Sequence, residues 1–162
     1  HPMHFERLET GKKQYLELLL LADEQESMVD RYLERGEMFL LKNDASEVVA
    51  EAVVTKEADG VFEIKNLAVK PQYQRQGYGR QIITFLLNRY RGQAQTMMVG
   101  TGESAKTMAF YQACGFSFSH RIKDFFLENY DHPIFEEGKL LKDMIYFKCD
   151  LRNNSSANFE RT

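Results

Sequence analysis

The chain has 162 residues, 43% hydrophobic and 28% charged, with a net charge of −3. This is the make-up of a soluble globular protein large enough for one proper core. It excludes a general attraction to nucleic acid or to an anionic membrane, and no apolar run approaches the roughly 20 residues of a membrane span.

Read in chain order, His1 and Pro2 ahead of Met3 look like a cloning remnant, and no secretory signal follows. "MHFERL" alternates as a first strand. Residues 12–22 are helix-forming. Asp23 and Glu26 have capping-box spacing and predict a second helix through Arg35, with Gly36 as its stop. "EMFLLKN", "SEVVAEAVVTKE" and "GVFEIKNLAV" read as an antiparallel meander with turns at 43–46 and at Asp59-Gly60. Residues 79–91 place Ile82, Ile83, Leu86, Leu87 and Tyr90 on one helical face. "TMMVG" is a short apolar strand. Ser104 caps a helix ending near Cys114-Gly115. "FSFSHRIKDFF" and "LLKDMIYFKCDL" are two last strands around the loop "LENYDHPIFEEG". Residues 152–162 read as a polar tail. The expectation is one α+β domain over 3–151, with a mixed sheet because a strand-helix-strand crossover sits in its middle. Cys114 and Cys149 lie in apolar settings and fit a reducing cytoplasm as core thiols. The four histidines are scattered and make no metal pattern.

The segment "VKPQYQRQGYGRQII" (69–83) bears on chemistry. Gly77 and Gly79 fall between a strand and an amphipathic helix, with Arg75 and Arg80 beside them. The first amides of a helix lack internal partners and, with its dipole, favour an anion. Glycine lets the backbone come close, and arginine forks pair with phosphate oxygens. A plain turn flanked by solvated arginines would look the same in isolation; the strand before and helix after favour a phosphate seat. No GxxxxGK[ST] string is present. The dinucleotide fingerprint fails at Ile82, where it needs a third glycine, so nicotinamide binding is poorly supported.

Gln74-Arg75-Gln76-Gly77-Tyr78-Gly79 resembles the acyl-CoA signature [QR]-x-x-G-x-[GA] of the GNAT superfamily of N-acetyltransferases. "SAKTMAFYQACGF" is similar to that family's second motif, and the element order agrees over nearly the whole chain. "EIKNLAV" and "FFLENYDHPIFEEG" further resemble a group of small bacterial members. The resemblance implies a GNAT-like, mostly antiparallel mixed sheet flanked by helices, with splayed central strands. It implies acetyl-CoA as acyl donor, its pyrophosphate on the amides from Arg75 to Arg80 (Gln74, Arg75, Gln76, Gly77, Tyr78, Gly79 and Arg80 forming the seat). The pantetheine arm would run beside Leu67, Ala68 and Val69. Ser104 stands where the family commonly has asparagine, and Thr107 where it has a small alanine; a serine hydroxyl can still meet the pantetheine or cap the helix.

The implied reaction is transfer of an acetyl group to a primary amine of a small molecule or peptide, without a covalent enzyme intermediate. An alkylammonium with a pKa of about 10.4 must first lose a proton. Glu63 is the best placed base, on a strand face shared with Lys65 and Leu67 by period-two counting; a plain Glu63–Lys65 ion pair is the bland reading. Asp124, Glu136 and Glu137 are substitutes. Tyr111 holds the position of the family's general acid, although a helix aromatic is also ordinary core. Ala68 or Val69 offers an amide to the oxyanion. Cys114 has no histidine close in sequence and is not the nucleophile. Acidic and aromatic residues at 23–30 and 130–137 suit a cationic acceptor. A homodimer is a family expectation. The competing reading is a non-catalytic acyl-CoA sensor or partner module.

Overall fold

The computed structural model describes residues 3–152. His1, Pro2 and residues 153–162, which hold nearly all of the expected remnant and tail, lie outside the described residues. Two compact units are distinguished: one runs to Glu57 and resumes over Glu63–Leu86, and the other takes Ala58–Phe62 and everything from Leu87.

In the first unit the strands β1 (His4–Leu8) and β2 (Glu37–Lys42) and all but the facing ends of β3 (Val48–Ala58) and β4 (Val61–Val69) lie in that order. β1 pairs with β2, and β2 with β3, both antiparallel. The β-branched and apolar run "VVAEAVV" suits a strand covered on both faces, and Val49 to Val54 are buried throughout. A core of Leu19, Val29, Leu33, Met38, Leu40 and Val53 forms beneath the two short helices α1 (Leu16–Ala22) and α2 (Glu26–Val29).

The helix predicted through Arg35 is therefore too long. After Val29 the chain continues as turns in which Arg31, Tyr32 and Gly36 donate three residues back, to Met28, Val29 and Leu33. Asp23 does not cap it: the N-cap is Gln25, and Asp23 Oδ2 accepts instead from the Tyr32 hydroxyl at 2.8 Å. The turns leave carbonyls facing inward, and the buried Lys12 ammonium takes three of them, Leu33 (3.0 Å), Glu34 (3.4 Å) and Gly36 (2.7 Å). Gly36 ends the segment because a Cβ there would lie 2.7 Å from Val53 Cγ1.

The helix α3 (Tyr78–Tyr90) buries Ile82, Ile83, Leu86, Leu87 and Tyr90, the stripe expected of it. Within the first unit its Phe85 ring stacks on Phe5 at 4.0 Å.

In the second unit β5 (Thr96–Gly102), β9 (Met144–Asp150) and β6 (Ser117–Ile122) lie in that order, β9 antiparallel to both neighbours. The Asp59-Gly60 turn belongs here; the Gly60 carbonyl accepts from the amides of Gln95 and Thr96. α4 (Ala105–Ala113) connects β5 to β6. "FSFSHRIKDFF" is not one strand. β6 stops at Ile122, Asp124 turns left-handed (φ 57°) with its amide on Asp143 Oδ1 at 2.8 Å, and α5 (Phe125–Asn129) follows. The loop expected after it contains a two-stranded hairpin, β7 (Phe135–Glu136) and β8 (Lys139–Leu140). Phe126, Ile134 and Leu141 form a small core under it.

Candidate functional site

The 69–80 segment leaves β4 through a turn at Pro71–Tyr73 and is pinned back by Gln74, whose Nε2 donates to the Val69 carbonyl at 3.0 Å. Arg75 then takes a left-handed φ of 61° and Gly77 one of 88°. Such a conformation is strained for arginine and free for glycine. The first amide claimed by the helix is that of Gln81, which donates to the Gly77 carbonyl at 3.1 Å. The amides ahead of it, up to Arg80, therefore stand at the positive end of α3 without an intrahelical acceptor. A Cβ added to Gly77 would meet nothing within 4 Å, so this side of the turn is open. Arg75 and Arg80 are exposed, and neither is paired with a carboxylate among the described residues. Gly79 lies inside the first helical turn and not ahead of it. The turn thus combines unclaimed donors, two available guanidinium groups and room for a bulky anion.

Leu67, Ala68 and Val69 close β4 next to this turn. Lys70 donates its amide to the Val49 carbonyl of β3 at 2.9 Å. Glu63 is buried on the same strand, and its Oε2 lies 3.3 Å from Lys65 Nζ, so the ion pair expected between them is present. A cavity of about 460 Å³ follows α1 and the start of the turn, lined by Tyr15, Leu18, Leu21, Lys70 and Gln72 among others.

The second unit carries Ser104 and Tyr111 on α4. Ser104 is the N-cap and accepts from the Thr107 amide at 3.5 Å. Its hydroxyl donates to Glu137 Oε1 at 2.9 Å, and the Thr107 hydroxyl donates to Glu136 Oε2 at 2.8 Å. Both carboxylates offered as substitute bases are thus tied to the first turn of α4. Asp124, the third, supplies its backbone to Asp143. Tyr111 is buried, edge-on to Phe110 (5.1 Å) and Phe116 (5.8 Å). Cys114 ends α4 and is buried, as is Cys149, whose thiol burial pushes up. Of the acidic residues expected to greet a cation, Glu26 and Asp30 both pair with Lys13 at 2.7 Å.

Sequence reasoning missed Glu51. It is fully buried on β3, and burial pushes its carboxyl well above the ordinary carboxylate range. The nearby Ala68 amide opposes this, but lies outside hydrogen-bond geometry, so desolvation wins. The signal was a lone carboxylate inside "VVAEAVV". Arg121, which grips Glu103 (2.9 and 3.2 Å) just ahead of Ser104, was also missed; an arginine on an exposed strand carries no such signal.

Residues 34–118 match the family model described as Acetyltransferase (GNAT) domain. The chain is 37% identical over 150 residues, 90% of its own length and 96% of the relative's, to an uncharacterized N-acetyltransferase, YvbK, of Bacillus subtilis strain 168. It is similar to a crystal structure of a GNAT family acetyltransferase from Elizabethkingia anophelis with acetyl-CoA bound (TM-score 0.86, 31% identity, 91% of this chain and 97% of that one). A Bacillus subtilis acetyltransferase in complex with CoA is similar to the same degree (TM-score 0.85, 35% identity, 92% and 99%). The α+β architecture of a mixed, mostly antiparallel sheet flanked by helices is the one these structures share with it. The chain belongs to the GNAT acetyltransferase family.

Proposed function

We propose that this protein is a single-domain N-acetyltransferase that moves an acetyl group from acetyl-CoA to a primary amine of a small molecule or peptide. The observation that carries the reading is the turn at 74–80: free amides, two unpaired arginines and a glycine whose missing side chain leaves space. A diphosphate fits all three. That two similar proteins were solved with acetyl-CoA or CoA supports the same donor here.

The pantetheine arm would lie along Leu67–Val69. Alternate amides of a strand point to opposite sides. Since Lys70 gives its amide to β3, the Val69 amide is turned away from β3. This favours Val69 over Ala68 as the donor to the thioester oxygen. Glu63 takes the proton of the acceptor ammonium, directly or through water, and the free amine attacks the thioester carbon. The tetrahedral oxyanion leans on the amide of β4. On collapse the C–S bond breaks and Tyr111 protonates the departing thiolate; the nitrogen gives up its second proton, which restores the tyrosine by way of water, and the products are a neutral amide and CoA. Ser104 meets the pantetheine from α4. The free, buried cysteines suit a cytoplasmic setting, and the family habit suggests a homodimer.

The test is a panel of primary amines scored by release of the CoA thiol. Amine-dependent thiol release that falls in Tyr111→Phe and in Glu63→Gln supports the reading. Tight CoA binding without turnover on any amine would leave an acyl-CoA-binding module in its place.

A further inference from the structure

The hairpin that follows α5 presses two carboxylates onto α4, and the reaction above uses neither. Its strands are joined by Glu137 and Gly138, with φ of 52° and 75°. Left-handed backbone at both central positions makes a two-residue turn that suits Asn-Gly and Asp-Gly; glutamate gains nothing local from it. The turn instead delivers a carboxylate. Glu137 Oε1 takes the hydroxyl hydrogen of Ser104 at 2.9 Å, and Glu136 Oε2 takes that of Thr107 at 2.8 Å. The base of the hairpin is fixed. Ile134 and Leu141 are buried, the Leu141 amide donates to the Ile134 carbonyl at 2.8 Å, and Leu141 fills the space beside Gly102. The tip has no such hold: Phe135 is 59% exposed, residues 137–139 are exposed, and a Cβ on Gly138 would meet nothing within 4 Å. Two residue pairs do not sustain a hairpin on their own. The two hydroxyl bonds are what keep the tip on α4.

Ser104 has one hydroxyl hydrogen to give. Its oxygen accepts from the Thr107 amide, and its hydrogen goes to Glu137. The function proposed above has the same hydroxyl meet the pantetheine arm. A pantetheine carbonyl needs that hydrogen, so it and Glu137 are rivals for a single donor. We propose that the Glu136–Glu137 tip is a built-in latch, which occupies the Ser104 and Thr107 hydroxyls in the free protein and lifts off α4 to admit the arm of acetyl-CoA. The fixed base at Ile134 and Leu141 is the hinge. Lifting exchanges each hydroxyl bond for one to water, so its net cost is modest. The rivalry rests on the acetyltransferase reading, which gives Ser104 its second partner; the two bonds that hold the tip do not.

The test compares CoA binding by the full chain with that by the double variant Thr107→Val, Glu137→Gly, in which each bond loses one partner. Glycine also suits the left-handed φ at 137. Surface plasmon resonance should show association about tenfold faster in the variant and dissociation unchanged, as for an open tip populated to about a tenth in the parent. On the wild-type chain, hydrogen exchange over residues 135–140 should quicken when CoA saturates. Equal association in parent and variant, or exchange that stays the same or slows with CoA bound, overturns the latch. The exchange measurement decides the matter even if the variant folds poorly. CoA binding to neither protein would sink the acetyltransferase reading and the latch with it; equal binding to both sinks the latch alone.

Discussion

Lys65 Nζ stands 3.3 Å from Glu63 Oε2, and the Glu63 side chain is only 10% exposed. A carboxylate held this way keeps its geometry but must share its charge. Glu63→Gln preserves the shape and removes the proton acceptor. The expected loss in kcat/KM is about 10²–10⁴-fold, the usual worth of a positioned base. Calorimetry on the same variant should show CoA affinity within about twofold of the parent.

Gly77→Ala separates ligand binding from folding. The new methyl meets no protein atom, so the fold loses only the backbone cost of φ 88°, about 1 kcal/mol. The same methyl would intrude on the space assigned to the diphosphate. CoA affinity should fall at least tenfold while Tm drops by a few degrees. Gly92→Ala, equally open but without a left-handed φ, is the control and should bind CoA normally.

Tyr111→Phe keeps the ring against Phe110 and Phe116, so the unfolding midpoint should hardly move. Turnover should fall by about 10²-fold or more if the phenol protonates the thiolate. An acceptable control is Phe110→Leu, which disturbs packing and not the proton transfer. Unchanged turnover in Tyr111→Phe would remove it from the mechanism.

Glu51 makes stability depend on pH in a stated direction. Its folded carboxyl holds its proton more tightly than the unfolded one. Its contribution is full below the unfolded range, near about 4.3, and is lost as pH rises toward the folded value. Glu51→Gln cannot ionise. Relative to wild type, the variant should gain about 1–3 kcal/mol between pH 5 and pH 8, the scale of one poorly accommodated buried polar group. Urea unfolding at the two pH values measures this.

The legible parts were those that a backbone rule dictates. The Gly77 turn and the α3 stripe were read because left-handed φ demands glycine and helical burial has a 3.6-residue period. The illegible parts depend on distant partners. Nothing local to residues 33–36 announces that Lys12 will take three of their carbonyls. The hairpin at 135–140 is two short pairs latched to hydroxyls of α4, too brief for any periodicity. Asp124 broke an expected strand through a backbone bond to a residue nineteen positions on.

An acetyltransferase also carries amines of its own, on its lysines. Among the described residues Lys12 is the one buried lysine, its nitrogen enclosed by main-chain oxygens. Amine-reactive reagents applied to the native chain should modify its other lysines and spare this one. Its labelling would then report the moment the fold lets go.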